Sequence, residues 1–214
     1  MGAKTWMLVY SNTSVIELLQ SRPQLDREAS IKFAQELFPS EKLSSLEDGS
    51  LSYTNPSDDQ LVVGCFPGLS IVAAKEFGLD YPSRLTANFV NPALGQTIYL
   101  HAMHSSVDWF AFAVWRDGQL QRSVCLSPDS GILEDIGARL AFEEPYWAGQ
   151  HPAIDPEEDS SSYPFVFHPL ELGEAALLEL FGYQLEGSAG NSLIDAENLP
   201  LMRFKRSKSW WKIW

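Results

Sequence analysis

Along this chain of 214 residues the spacing of hydrophobic positions changes several times, and each change marks an element. Thr5 to Tyr10, TWMLVY, is a short apolar run that stops at Ser11-Asn12 and predicts a buried strand. A short helix is expected next. Ser14-Val-Ile-Glu17 has capping-box form, in which the serine hydroxyl accepts from a first-turn N–H while Glu17 reaches back, and Pro23 closes the segment. Helical spacing returns from about Arg27 to Phe38, with Asp26 as N-cap and Phe33, Ala34, Leu37 and Phe38 on one face; Pro39 stops it. After a polar linker containing Asp48-Gly49, the segments Gln60 to Phe66 and Leu69 to Glu76 read as strands paired around Pro67-Gly68. Asp80 to Asn91 predicts a third helix, with Pro82 early and Leu85, Phe89 and Val90 facing inward.

From Thr97 the pattern becomes strand-rich. Val107 to Arg116 and Gln119 to Leu126 flank Asp117-Gly118, a pair suited to positive φ at both central positions of a type I′ hairpin. That loop predicts a register: Arg116 opposite Gln119, Trp115 opposite Leu120, Phe112 opposite Ser123, and Phe110 opposite Cys125. Trp109, Ala111, Ala113 and Trp115 then share a face with Leu120, Val124 and Leu126, while Phe110, Phe112 and Val114 occupy the other. Both faces of the first strand are apolar, which predicts a central strand covered on both sides. Ser127-Pro-Asp-Ser-Gly131 reads as a solvated turn. Gln150 to Tyr163 is acidic, rich in Pro and Ser and aperiodic, so a mobile loop is expected at 150–163. His168-Pro169 opens a helix that runs through Phe181, with Glu171 in its first turn and Gly182 beyond its end. Helices that bracket hairpins predict an α+β fold, an antiparallel or mixed central sheet with helices packed on it around a single core. Residues 1–202 are expected to form one domain and residues 203–214 a tail.

Hydrophobic residues at 45% and charged residues at 20% fit a globular chain with a sizeable core. No apolar run approaches the roughly 18 residues of a membrane span. The start, MGAKTWMLVYSN, has too short an apolar stretch for a secretory signal, and Gly2 lacks the Ser or Thr at position 6 that myristoylation favours. Cys65 and Cys125 show no metal or redox spacing and lie in apolar segments, so buried reduced thiols and a cytoplasmic location are expected. A net charge of -13 argues against nucleic acid as a partner. The charge is uneven, because Arg203, Lys205, Arg206, Lys208 and Lys212 follow Met202 with no acid among them. Lys205, Arg206, Lys208, Trp210, Trp211 and Trp214 are therefore candidates for peripheral contact with an anionic surface or membrane.

Candidate chemistry is sparse. His101, His104 and Asp108 are residue types that ligate a divalent metal or serve a hydrolase, yet no H-E-x-x-H is present, and in an extended strand the two histidines point to opposite faces unless His104 has entered a turn. No metal is favoured there. Ser105, Ser106 and Ser130 could serve a Ser-His-Asp hydrolase, but none lies in G-x-S-x-G. Glu134-Asp135 could do acid-base work, with a solvated turn preferred. Tyr146 and Trp147 beside Glu143-Glu144, followed by His151, could form a wall that stacks a small-molecule ligand. SNTSVI after the first strand replaces any Gly-rich phosphate loop, so no cofactor is predicted.

The strings HAMHSSVDWFAFAVWRDG, LSPDSGILEDIG, PYWAG and FHPLELGEAALLELFG occur in that order, and with them the chain resembles an uncharacterised bacterial protein family whose sequences also start with MGAKT. The resemblance covers about residues 1–186 and not the tail. It implies bacterial origin and a shared fold, and it brings no activity or site residues. The expected role is ligand or partner binding, with a hydrolase around His101, His104 and Asp108 and tail-directed surface association as the alternatives.

Overall fold

A computed structural model describes residues 2–153, 164–186 and 191–208. Among these, ten antiparallel strands form one sheet. They are β1 (Lys4–Ser11), β2 (Glu41–Ser45), β3 (Gly49–Ser50), β4 (Gln60–Phe66), β5 (Leu69–Ala73), β6 (Thr97–His104), β7 (Trp109–Arg116), β8 (Gln119–Ser127), β9 (Gly131–Gly137) and β10 (Pro200–Lys208). Their order is β2-β10-β4-β5-β1-β6-β7-β8-β9, with β3 paired to β10. The four α-helices of the described residues are α1 (Val15–Gln20), α2 (Arg27–Leu37), α3 (Glu144–Trp147) and α4 (Pro169–Phe181).

The sheet is apolar on both faces because its inner strands carry hydrophobic residues at odd and even positions alike. In place of the single core expected, two clusters form. Met7 and Val9 of β1 point to the face covered by α1 and α4. Leu8 and Tyr10 point to the face covered by α2, with Phe77, Leu85 and Phe89 beside it. Local signals set the helices. Ser14 and Asp26 cap α1 and α2 by accepting from Glu17 N and Ala29 N. Pro169 opens α4, and Gly182 ends it in a left-handed conformation.

Several expectations are corrected. The third helix, expected over Asp80 to Asn91, is reduced to a 3₁₀ turn at Pro82–Arg84, and a second 3₁₀ turn follows that span at Pro92–Leu94. Ser83 in the first turn gives both its backbone N–H and its hydroxyl to the Glu134 carboxylate, and Leu85 is extended, so the turn does not propagate. Leu85 and Phe89 are buried all the same. The Asp117-Gly118 hairpin has positive φ at both loop residues. Its register begins as predicted, with Arg116 opposite Gln119 and Trp115 opposite Leu120, and then slips by one. Phe112 lies opposite Val124 and Phe110 opposite Leu126, because a bulge takes up Gln121. Val124 and Leu126 therefore join the phenylalanine face and Cys125 joins the tryptophan face. The hairpin is covered on both sides but lies near one edge; β1 occupies the centre. Arg203 to Lys208, expected as the start of a tail, run inside the sheet, with Phe204 opposite both Ser45 of β2 and Leu61 of β4.

Candidate functional site

Strand alternation in β6 sends His101 and His104 to opposite faces, so they cannot share a metal ion. His101 is fully buried. Its Nε2 donates to the Gly173 carbonyl at 2.9 Å, and its Nδ1 accepts from the Thr5 hydroxyl at 2.7 Å. That hydroxyl in turn accepts from Met103 N–H. Burial pushes the imidazole pKa down to about 4, and both nitrogens are committed, so His101 is a neutral core residue. His104 packs beside Trp6 with ring centroids 5.7 Å apart, and its Nδ1 is buried without a hydrogen-bond partner. Desolvation, and then the Lys4 charge, lower its pKa.

Asp108 belongs elsewhere. The chain leaves β6 through one 3₁₀ turn, Ser105–Val107, and Asp108 follows in a left-handed conformation with φ 48°. Its Oδ2 lies 3.6 Å from Nε2 of His168, the N-cap residue of α4, whose Nδ1 accepts from Leu170 N–H. His168 was read from the sequence only as the start of a helix. The left-handed corner that turns Asp108 toward it is not visible in a strand pattern.

The second candidate group reaches the same helix. The Tyr146 ring stacks on His151, with centroids 4.2 Å apart and planes at 17°, and its hydroxyl donates to the Glu171 carbonyl in the first turn of α4. Burial, then the Glu171 charge, raises the Tyr146 pKa. Trp147 meets Phe167 edge-on at 5.0 Å, lies 4.2 Å beneath the Arg139 guanidinium, and donates through Nε1 to Glu143. Glu143 is fully buried and also accepts from Arg122 and from Leu140 N–H. Trp147 is thus a support of the wall more than its open surface; Tyr146 and His151 are the outward groups.

Glu134 and Asp135 lie in β9 instead of a solvated turn. Glu134 is buried and accepts from Ser83 and Ser123, and Asp135 accepts from the fully buried Arg122. Among the described residues none of Ser105, Ser106 and Ser130 bonds a histidine, and no group of three or more His, Cys, Asp or Glu is arranged to hold a metal ion. Lys205 lies 4.0 Å from Asp59. Arg206 is almost enclosed, bonded to Glu41 and Glu76 over the Phe38 ring beside a hollow of about 470 Å³. Lys208 is the last residue of β10, and Trp210, Trp211 and Trp214 lie outside the described residues, as do 154–163 of the expected loop.

Fold and site together define an antiparallel sheet protein with helices on it and a polar, aromatic corner at the N-terminus of α4. The chain belongs to a family of unknown function (DUF6928), which it matches over residues 5–204. No curated protein and no solved structure matches it.

Proposed function

We propose that this protein is a ligand-binding domain whose site is the corner formed by Asp108, His168, Tyr146 and His151. The observation that carries the reading is convergence. Asp108 meets the N-cap of α4, and the Tyr146 hydroxyl meets the first turn of the same helix, although 38 positions separate the two residues in the chain. A non-glycine residue held at positive φ in such a corner is the kind of backbone strain that functional sites retain. The stacked rings offer an apolar plane and Asp108 an acceptor, which together suit a neutral, ring-bearing ligand with hydroxyl donors; the charge of -13 disfavours anions.

The hydrolase alternative shifts from His101 and His104 to the Asp108–His168 pair. It is the weaker reading, because the lone pair of Nδ1 is spent on Leu170 N–H and the ring would have to leave its cap to act as a base. Ligand-observed NMR with sugars, nucleosides and small acids separates the two. Binding of a neutral sugar or nucleoside weakened about tenfold in both Asp108→Asn and His151→Ala supports the corner. Equal binding by both variants removes it. Anionic-surface association now rests on residues beyond Lys208, since Lys205 and Arg206 already have acidic neighbours. The buried free thiols support a reducing, cytoplasmic location. No helix of the described residues is long and apolar enough to cross a membrane.

A further inference from the structure

Far from this corner, at the other end of α4, lies a concavity. The 13 residues of α4 put it about 20 Å away at the helical rise of about 1.5 Å per residue. The last turn of α1, residues 184–185 and the segment Ser192 to Pro200 enclose a cleft of about 990 Å³. Leu185 and the exposed Leu193 give it an apolar surface, over the buried Leu19, Ile194 and Leu199. Its charged lining residues are Arg22, Asp195 and Glu197, and they are not equivalent. Asp195 is occupied, since its two oxygens accept from Asn198 N–H and Asn198 Nδ2. Arg22 and Glu197 are exposed and form no salt bridge among the described residues, although the Arg22 charge, after the Asn198 hydrogen bonds, helps to lower the Asp195 pKa.

Arg22 also has the most unusual backbone of the lining. Its φ is 50°, left-handed, and Pro23 follows. A proline restricts the residue before it to extended conformations, so a non-glycine residue here is strained twice over. An arginine stands where glycine would relax the turn, and it borders the cleft.

We propose that this cleft binds a small zwitterion with an apolar side chain, a free amino acid or a short peptide. Arg22 takes the carboxylate, Glu197 takes the ammonium group, and the side chain rests on Leu185 and Leu193. A purely anionic ligand would face Asp195, Glu197 and the overall negative charge, and a purely cationic one would bring no carboxylate to Arg22. This site is independent of the corner at Asp108.

Isothermal titration with L-leucine and leucyl-leucine tests it, alongside N-acetyl-leucine and leucinamide, which each lack one charge. Saturable binding of leucine or leucyl-leucine is expected, weakened about tenfold in each blocked form. Preference between leucine and leucyl-leucine decides between a free amino acid and a peptide end. Arg22→Gly should lose about tenfold in affinity while its Tm stays level or rises, because glycine accepts the positive φ. Glu197→Gln, an exposed and fold-neutral change, should lose a similar factor. The proposal is overturned if no probe binds at millimolar concentration, if the blocked forms bind as well as the free ones, or if Glu197→Gln binds leucine as the unaltered protein does.

Discussion

Arg122 and Glu143 are each fully buried, and their side chains meet through two guanidinium nitrogens, with Asp135 on a third. Desolvation alone would lower the Arg122 pKa, yet the bonds to Glu143 and Asp135 outweigh it and leave the pKa raised. A buried pair of this kind costs much to break from one side, because the surviving charge has no water. Glu143→Ala should therefore destabilise the protein by about 3–5 kcal/mol in urea denaturation, and it should release Trp147 and Leu140 N–H at the same time. A change below about 1 kcal/mol would mean the pair is not formed. His101 makes a pH prediction. Its pKa falls from 6.5 to about 4 on folding, so between those values the unfolded chain binds more protons than the folded one. Stability from this residue is fully present above about pH 6.5 and is lost as pH falls to about 4, a difference of about 3 kcal/mol. His101→Leu should flatten that part of the profile. It should also lower stability at neutral pH, since the Thr5 hydroxyl and the Gly173 carbonyl lose their partner.

Elements whose causes are local were legible in the sequence. Ser14, Asp26, Pro169 and Gly182 mark helix ends through contacts within a few residues, and Asp117-Gly118 marks its hairpin. Elements made by distant partners were not. β2 and β9 are the sheet edges, β2 short and largely polar and β9 split between apolar residues, acids and glycines, and β10 is a basic stretch whose neighbours lie about 140 to 170 positions earlier in the chain. The bulge at Gln121 is set by a similar non-local need. Gly137 of β9 has φ 84°, and a Cβ there would sit 2.0 Å from the Gln121 carbonyl oxygen, so strand and bulge fit only with glycine. With the bulge, Arg122 joins the face where Glu143 waits. The position of β10 changes how the C-terminus should be cut. Truncation after Met202 removes Phe204 from the core and the Arg206 clamp on Glu41 and Glu76, so it should lower the Tm of the whole sheet. Truncation after Lys208 keeps all of β10. Liposome sedimentation of that second variant isolates any contribution of Trp210, Trp211 and Trp214 to surface binding. Folding of the Met202 truncation to the full Tm would show that β10 is dispensable.

At the scale of the whole molecule, the candidate site is an accident of neither strand nor helix but of where α4 begins. Asp108 and the Tyr146 group read as separate features in the sequence, and His168 as a helix start, because each has its own local pattern. They meet because Gly173, with no side chain, lets α4 lie against Met103 and Phe110, which carries its N-terminus to the end of β6 where Asp108 leaves the sheet. The same long-range packing bears on how the sheet opens. Cys65 lies on β4 and Cys125 on β8, on either side of β1, and both belong to the cluster that includes Leu8, Val72 and Leu100. Burial raises the pKa of Cys65 and pushes that of Cys125 up to about 12, so neither thiol should react with an alkylating reagent near pH 8 unless the structure opens. Because one continuous apolar layer joins the two halves, opening one thiol should require opening the other. Pulsed alkylation read by mass spectrometry across a urea series should give the two cysteines a common midpoint, matching that of global unfolding. Labelling of Cys65 at clearly lower urea than Cys125 would show that the half containing β2, β10 and β4 separates first, and that β1 is a boundary between two cooperative units and not the centre of one.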